Sequence, residues 1–91
     1  MNTRKIKLAL TAGLINRNTN GNALLSVKEL MNQFGDDVGT FLGLTPQSRA
    51  TLDSQTIRET YALQYERCTL NVNLVSHPAA NRQTIQGFYI S

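Results

Sequence analysis

His77 and Cys68 each occur once in the 91-residue chain, and their side chains are the usual bases, nucleophiles and soft metal ligands. His77 stands between Ser76 and Pro78, a setting that predicts a solvated turn residue. No Ser, Cys or Asp is placed in sequence to complete a nucleophilic constellation with it. Cys68 has no neighbouring base and reads as a buried apolar filler rather than a reactive thiol. One His and one Cys cannot build a Cys/His zinc site within a monomer. Asp36 and Asp37 are adjacent, so their carboxylates diverge, and no third acid follows at the spacing of a calcium loop. Glu59 and Glu66 form no recognisable acid pair. Gly35, Gly39 and Gly43 recur every four residues without the Lys-Ser/Thr of a phosphate loop, a pattern that reads as helix ending and close packing. The residues therefore predict no catalytic group, no metal and no cofactor: a protein that is not an enzyme and acts by binding.

Two binding surfaces are legible. The closing run Thr84 to Ile90 carries Phe88, Tyr89 and Ile90, apolar on both sides of an extended chain, which predicts an interface for strand addition at a sheet edge. This is the first expectation: a protein-interaction module, self-associating or bound to another protein, in the manner of an accessory or inhibitory protein. The alternative is nucleic acid. Arg4, Lys5, Lys7 and Arg17 give the first 25 residues a charge of +4 with no acid, residues 26–66 carry −3, and Arg67 and Arg82 restore +3 for the whole chain. Those bases, with Arg58, could contact phosphates while Tyr61, Tyr65 or Tyr89 stack on bases. No recognition helix, aromatic RNA-binding signature or zinc finger is present, so such binding would be weakly specific. A pocket for a small polar ligand is a further alternative that the composition permits without a motif.

The elements that must position these residues are those of a small α+β domain: one capped helix on a largely antiparallel sheet, closed by a C-terminal hairpin. Leu70, Val72 and Leu74 alternate with Thr69, Asn71 and Asn73, the period of a half-buried strand. Ser76 to Asn81 supplies a turn, and Thr84 to Ile90 returns beside the first strand. Ser26 and Glu29 make a capping box that starts a helix over about 26–35, with Val27, Leu30, Met31 and Phe34 as its apolar stripe and Gly35 as its stop. Over residues 5–11 the alternation of Ile6, Leu8 and Leu10 favours a strand, although Ile6, Leu10 and Leu14 also fit a helix. Asn16 to Asn22 is loop chemistry that could close a hairpin onto Ala23 to Leu25. Residues 36–44 form a short helix or link with Val38, Phe41, Leu42 and Leu44 in the core. Residues 45–56 read as a polar binding loop. Residues 57–67 begin a long strand that continues through a bulge near Glu66 to Cys68, where the apolar parity switches. On that strand Tyr61 and Tyr65 share a face near Arg58, Glu59 and Arg67.

Length bounds the rest. A chain of this size is one domain, residues 1–91, with a single modest core. Asn, Gln, Ser and Thr supply 30 residues against 16% charged, so the exterior is suited to hydrogen bonding more than to long-range steering. A single cysteine and no Asn-x-Ser/Thr sequon predict a reducing interior, the cytoplasm. The apolar run near the N-terminus is interrupted by Lys7, Thr11 and Gly13, and nothing approaches the ~18 residues of a spanning helix, so no membrane partner is expected.

Overall fold

The computed structural model describes residues 3–14, 18–20 and 23–91. Its first element, helix α1 (Thr3–Leu14), settles the competition between the two periodicities. Ile6 and Leu10 are buried one turn apart, Leu10 at 2% exposure, whereas Leu8, which would share their side in a strand, is 63% exposed. The strand expected over 5–11 is thus corrected to a helix. Its Lys, Leu and Ala residues are good helix formers, and the i, i+4 spacing gives a continuous buried stripe.

Strand β1 (Asn18–Asn20) follows, and α2 (Ala23–Met31) then begins three residues before the expected cap. Ser26 lies inside the helix, and Ala23 to Leu25 is its first turn rather than half of a hairpin. The Ala23 N–H donates to the side-chain Oε1 of Gln83 at 2.6 Å, so an N-terminal amide that helices leave without an internal partner is satisfied from the far end of the chain. Ala23, Val27 and Met31 make the buried stripe. A 3-10 turn (Asn32–Phe34) leads into the four-residue helix α3 (Gly35–Val38). Gly35 does not end the helical run: its φ of −54° continues it, and Gly39, at φ 81°, ends it.

The remaining chain is an antiparallel meander of β2 (Phe41–Asp53), β3 (Thr56–Tyr65), β4 (Thr69–His77) and β5 (Arg82–Ile90). The sheet order is β1-β5-β4-β3-β2, with β1 pairing antiparallel to Arg82–Thr84 of β5. The segment expected as a loop over 45–56 is mostly β2, whose turn into β3 is held by the Gln55 N–H on Asp53 Oδ1 at 2.8 Å. The expected bulge at 66–68 is instead a reversal of the chain: the Tyr65 N–H donates to Cys68 O at 2.9 Å, and the parity switch marks two strands rather than one bent strand. Ser76 and His77 belong to β4, and the turn proper is Pro78–Ala80 followed by Asn81 in the left-handed region at φ 51°. The terminal hairpin stands as expected.

Both longer helices lie on one face of the sheet. Ile6, Leu10, Val27 and Met31 pack there against Leu63, Leu70, Val72, Leu74 and Ile85. Each fully buried aliphatic side chain contributes about 1.5–3 kcal/mol, which is why this face alone organises the domain. Phe41 meets Tyr65 edge-on at 5.4 Å, and Lys28 Nζ sits 4.3 Å from the centre of the Phe41 ring, tying α2 to the start of β2. Val38 is buried as expected, but Leu42 and Leu44 are exposed rather than in the core. Among the described residues, no helix is long and apolar enough to cross a membrane.

Candidate functional site

Alternation along each strand sends every second side chain away from the helices, and the register aligns these residues in rows across the sheet. Thr45, Ala62, Asn71 and Tyr89 form one row, Ser48, Thr60, Asn73 and Gly87 the next, and Ala50, Arg58, Val75 and Thr84 a third. These three rows of the open face carry hydroxyls, amides and the Arg58 guanidinium beside the buried Ala62 and Val75. At its centre Ser48, Arg58, Thr60, Asn73, Gln86 and Gly87 surround a shallow depression of ≈ 400 Å³. A register shift between Asn73 and Leu74 places Gln86 as the extra residue of β5, beside Gly87, where a side chain would meet only open space. Thr60 Oγ1 donates to Asn73 Oδ1 at 2.7 Å, which fixes the amide and leaves its N–H groups for an acceptor. Across the strands Arg58 faces Ala50 and Val75, so no carboxylate is paired with it in the ladder.

The helix-side face holds a second polar group of residues, with a structural job. Tyr61 donates to Glu59 Oε2, Ser76 Oγ donates to Glu59 Oε1 at 3.0 Å, and Gln83 Nε2 donates to Ser76 Oγ at 3.3 Å while its Oε1 receives the Ala23 amide. The bond to Glu59, with some burial, pushes the Tyr61 hydroxyl above its ordinary range. This relay carries hydrogen bonding from β3 to the start of α2.

The edges of the sheet differ. Among the described residues β2 is paired on one side only, by β3, and register shifts at 41/43, 46/48 and 51/53 interrupt the ladder along its thirteen residues. It carries three of the exposed large apolar residues, Leu42 at 61%, Leu44 at 45% and Leu52 at 52%. On the other side, β1 covers β5 only at Arg82–Thr84, so Ile85 to Ile90 has no outer strand among the described residues.

Against this geometry the residues singled out in the sequence separate. Phe88 and Ile90 pack toward the core, while Tyr89 is 57% exposed on the open face. Arg4, Lys5 and Lys7 are exposed on α1, on the helix side, and Arg17 lies outside the described residues. Arg67 sits in the β3–β4 turn and donates from Nη1 to the Asp36 carbonyl at 2.6 Å. Arg82 opens β5, and Arg58 projects from the opposite face to Tyr61 and Tyr65. Tyr65 is buried, its hydroxyl finds no partner among the described residues, and burial pushes it up to about 12. The bases and tyrosines of the nucleic-acid reading are therefore not brought together as a set, and Tyr65 is not placed to stack on a base.

His77, whose Nδ1 is 3.5 Å from Thr56 Oγ1, and Cys68 lie at opposite ends of β4, roughly 30 Å apart at the rise of a strand. The Cys68 thiol is buried and raised by that burial. Among the described residues no three His, Cys, Asp or Glu side chains gather into a metal-sized group. Sequence reasoning missed Ser48, Thr60, Asn73 and Gln86. The signal available was the amide character of the polar side of β4. The chain matches no protein-family model, no curated protein and no solved structure.

Proposed function

We propose that this protein is a non-catalytic interaction module that joins a second copy of itself by strand addition along β2. The observation that supports this best is the state of that edge: thirteen residues bonded on one side, exposed nearly throughout, with Leu42, Leu44 and Leu52 facing water. Natural edges of this length are normally shortened, charged, covered or interrupted by proline and bulges; β2 has Pro46 and three register shifts and still leaves its leucines exposed. The bulges also favour a particular partner. They divide β2 into two regular stretches, Gly43–Pro46 and Ser48–Thr51, on either side of Gln47. A two-fold axis at Gln47 sets each stretch against the other stretch of an antiparallel copy, and brings Leu42 opposite the partner's Leu52. The compartment that suits this reading is the cytoplasm, supported by the single, unpaired and buried Cys68.

Size-exclusion chromatography with light scattering, at low salt and at about 0.5 M salt where charge attraction is screened, tests the reading. A dimer that persists at high salt and becomes monomeric with Leu44→Lys is the expected result. Dissociation by Tyr89→Lys, with Leu44→Lys harmless, would move the interface to Ile85–Ile90 of β5. A monomer under every condition would sink self-association altogether.

A further inference from the structure

We infer that the open face of the sheet is a binding site for single-stranded nucleic acid, with one nucleotide seated in the depression over Gly87 and the next base stacked on Tyr89. Of the residues in the nucleic-acid reading of the sequence, this face keeps Arg58 and Tyr89 and leaves out Tyr61, Tyr65 and the other bases. Among the described residues its one base near the centre is Arg58, set between Ala50 and Val75 without a cross-strand carboxylate, in a chain of net charge +3. A guanidinium on a strand with no acid directly across from it is complementary to a phosphate.

The groups around it are those that recognise base edges. Asn73 is oriented by Thr60, and Ser48 and Gln86 add further donors and acceptors around the same ≈ 400 Å³ space. Gly87 leaves the floor without a side chain, so a flat ring can approach the backbone. Tyr89 stands two residues farther along β5 on the same face, roughly 7 Å away, and is 57% exposed. An exposed aromatic beside a base-sized polar depression provides a stacking surface for the neighbouring nucleotide. The face of a sheet reaches bases only when they are splayed out, which selects single strands over a duplex that hides its base faces. The α1 bases Arg4, Lys5 and Lys7 lie on the far side of the sheet and take no part.

The test is fluorescence anisotropy of the full chain with labelled RNA and DNA single strands of about 12 nucleotides, and with the matching duplexes. The expected result is binding of a single strand in preference to duplex. Comparison of the RNA and DNA strands then tells which sugar is accepted. Arg58→Gln should weaken binding and reduce the slope of log affinity against log salt by about 0.7, the share of one phosphate on a single strand. Tyr89→Ala should weaken it at least about 5-fold with the slope unchanged, and Tyr89→Phe should keep the affinity. Arg4, Lys5 and Lys7 changed together to Gln should not reproduce the Tyr89→Ala loss. No binding by folded wild type, equal binding of duplex, indifference to both Arg58→Gln and Tyr89→Ala, or a loss carried only by the α1 triple variant would each overturn the inference. Arg58 and Gly87 lie away from the β2 edge, so dimerisation and nucleic-acid binding fail separately.

Discussion

Gly39→Ala should be among the most damaging single-methyl changes in this protein. Gly39 has φ 81° and ψ −162°, a backbone region essentially restricted to glycine, so any L side chain there strains the chain by about 1–3 kcal/mol. Space is the second obstacle. A Cβ at Gly39 would lie 2.7 Å from Glu66 Cβ and 3.0 Å from Glu66 Oε1. The Glu66 Cβ has little freedom to retreat, because the Glu66 N–H donates to Thr40 O at 3.1 Å and the Arg67 N–H to Val38 O at 3.0 Å. Its carboxylate accepts the Thr40 N–H at 2.6 Å as well. Overpacking against so fixed a neighbour adds about 1–3 kcal/mol, which brings the total to roughly 2–6 kcal/mol. Urea titration should show a lower midpoint at unchanged slope, and the melting temperature should fall by at least about 8 °C for a domain of this size. Gly35→Ala is the matched control. Its φ is −54° and nothing stands within 4 Å of the new carbon, so it should leave stability unchanged or raise it by about 0.4–1 kcal/mol. In a Glu66→Gly background, Gly39→Ala should retain only the strain of about 1–3 kcal/mol. A Gly39→Ala variant within about 0.5 kcal/mol of wild type, or Gly35→Ala equally harmful, would refute the reasoning.

Two further expectations follow from burial. Leu10→Ala should destabilise by about 2–5 kcal/mol while Leu8→Gln stays within about 0.5 kcal/mol, because α1 buries the first and exposes the second; equal effects in chemical denaturation would argue for a strand. Tyr65 keeps its proton when folded, up to about 12, whereas the unfolded side chain ionises near 10. Its contribution is therefore fully present below pH ~10 and lost as pH rises toward ~12, on the order of 1–3 kcal/mol. Tyr65→Phe should remove most of that alkaline loss and, by deleting a buried hydroxyl without a described partner, be neutral or stabilising by up to about 1 kcal/mol near neutrality. Unfolding free energies measured at several pH values between neutral and strongly alkaline decide both points.

What could be read in advance was local. Leu70, Val72 and Leu74 announce their strand because they alternate with Thr69, Asn71 and Asn73, although Asn71 and Val75 on the other side are buried too, and alternation of type carries the hairpin to Ile90. The α+β class follows from these and from the Val27, Met31, Phe34 stripe. Where both periodicities fit, as at Ile6, Leu8 and Leu10, only the surface opposite decides, and that surface lies in β3, β4 and β5. The start of α2 was misread because its amide at Ala23 is satisfied by Gln83, sixty residues on, which no local cap motif can reveal. β2 was misread for the converse reason: an edge exposed on both faces has no buried side, hence no alternation to detect. The parity switch at Glu66 to Cys68 was seen but misassigned, since a bulge and a tight reversal shift the pattern alike. The open-face depression depends on register across β2, β3, β4 and β5, which sets Ser48, Thr60, Asn73 and Gly87 in one row.

The order of elements along the chain has a consequence for how the molecule assembles. α1 and α2 are synthesised before any of the strands that cover their apolar stripes, and Ile6, Leu10, Val27 and Met31 have nowhere to go until β3, β4 and β5 exist. Isolated helices of nine and twelve residues are marginal in water, so neither persists while it waits. The meander is different: each of its strands pairs with its sequence neighbour, and such short-range closures are the quickest available to a sheet. The β1–β5 pairing and the Gln83 bond to Ala23 must wait for the last strand to leave the ribosome. α1 and α2 precede β3, β4 and β5 in the chain and depend on them for their cover.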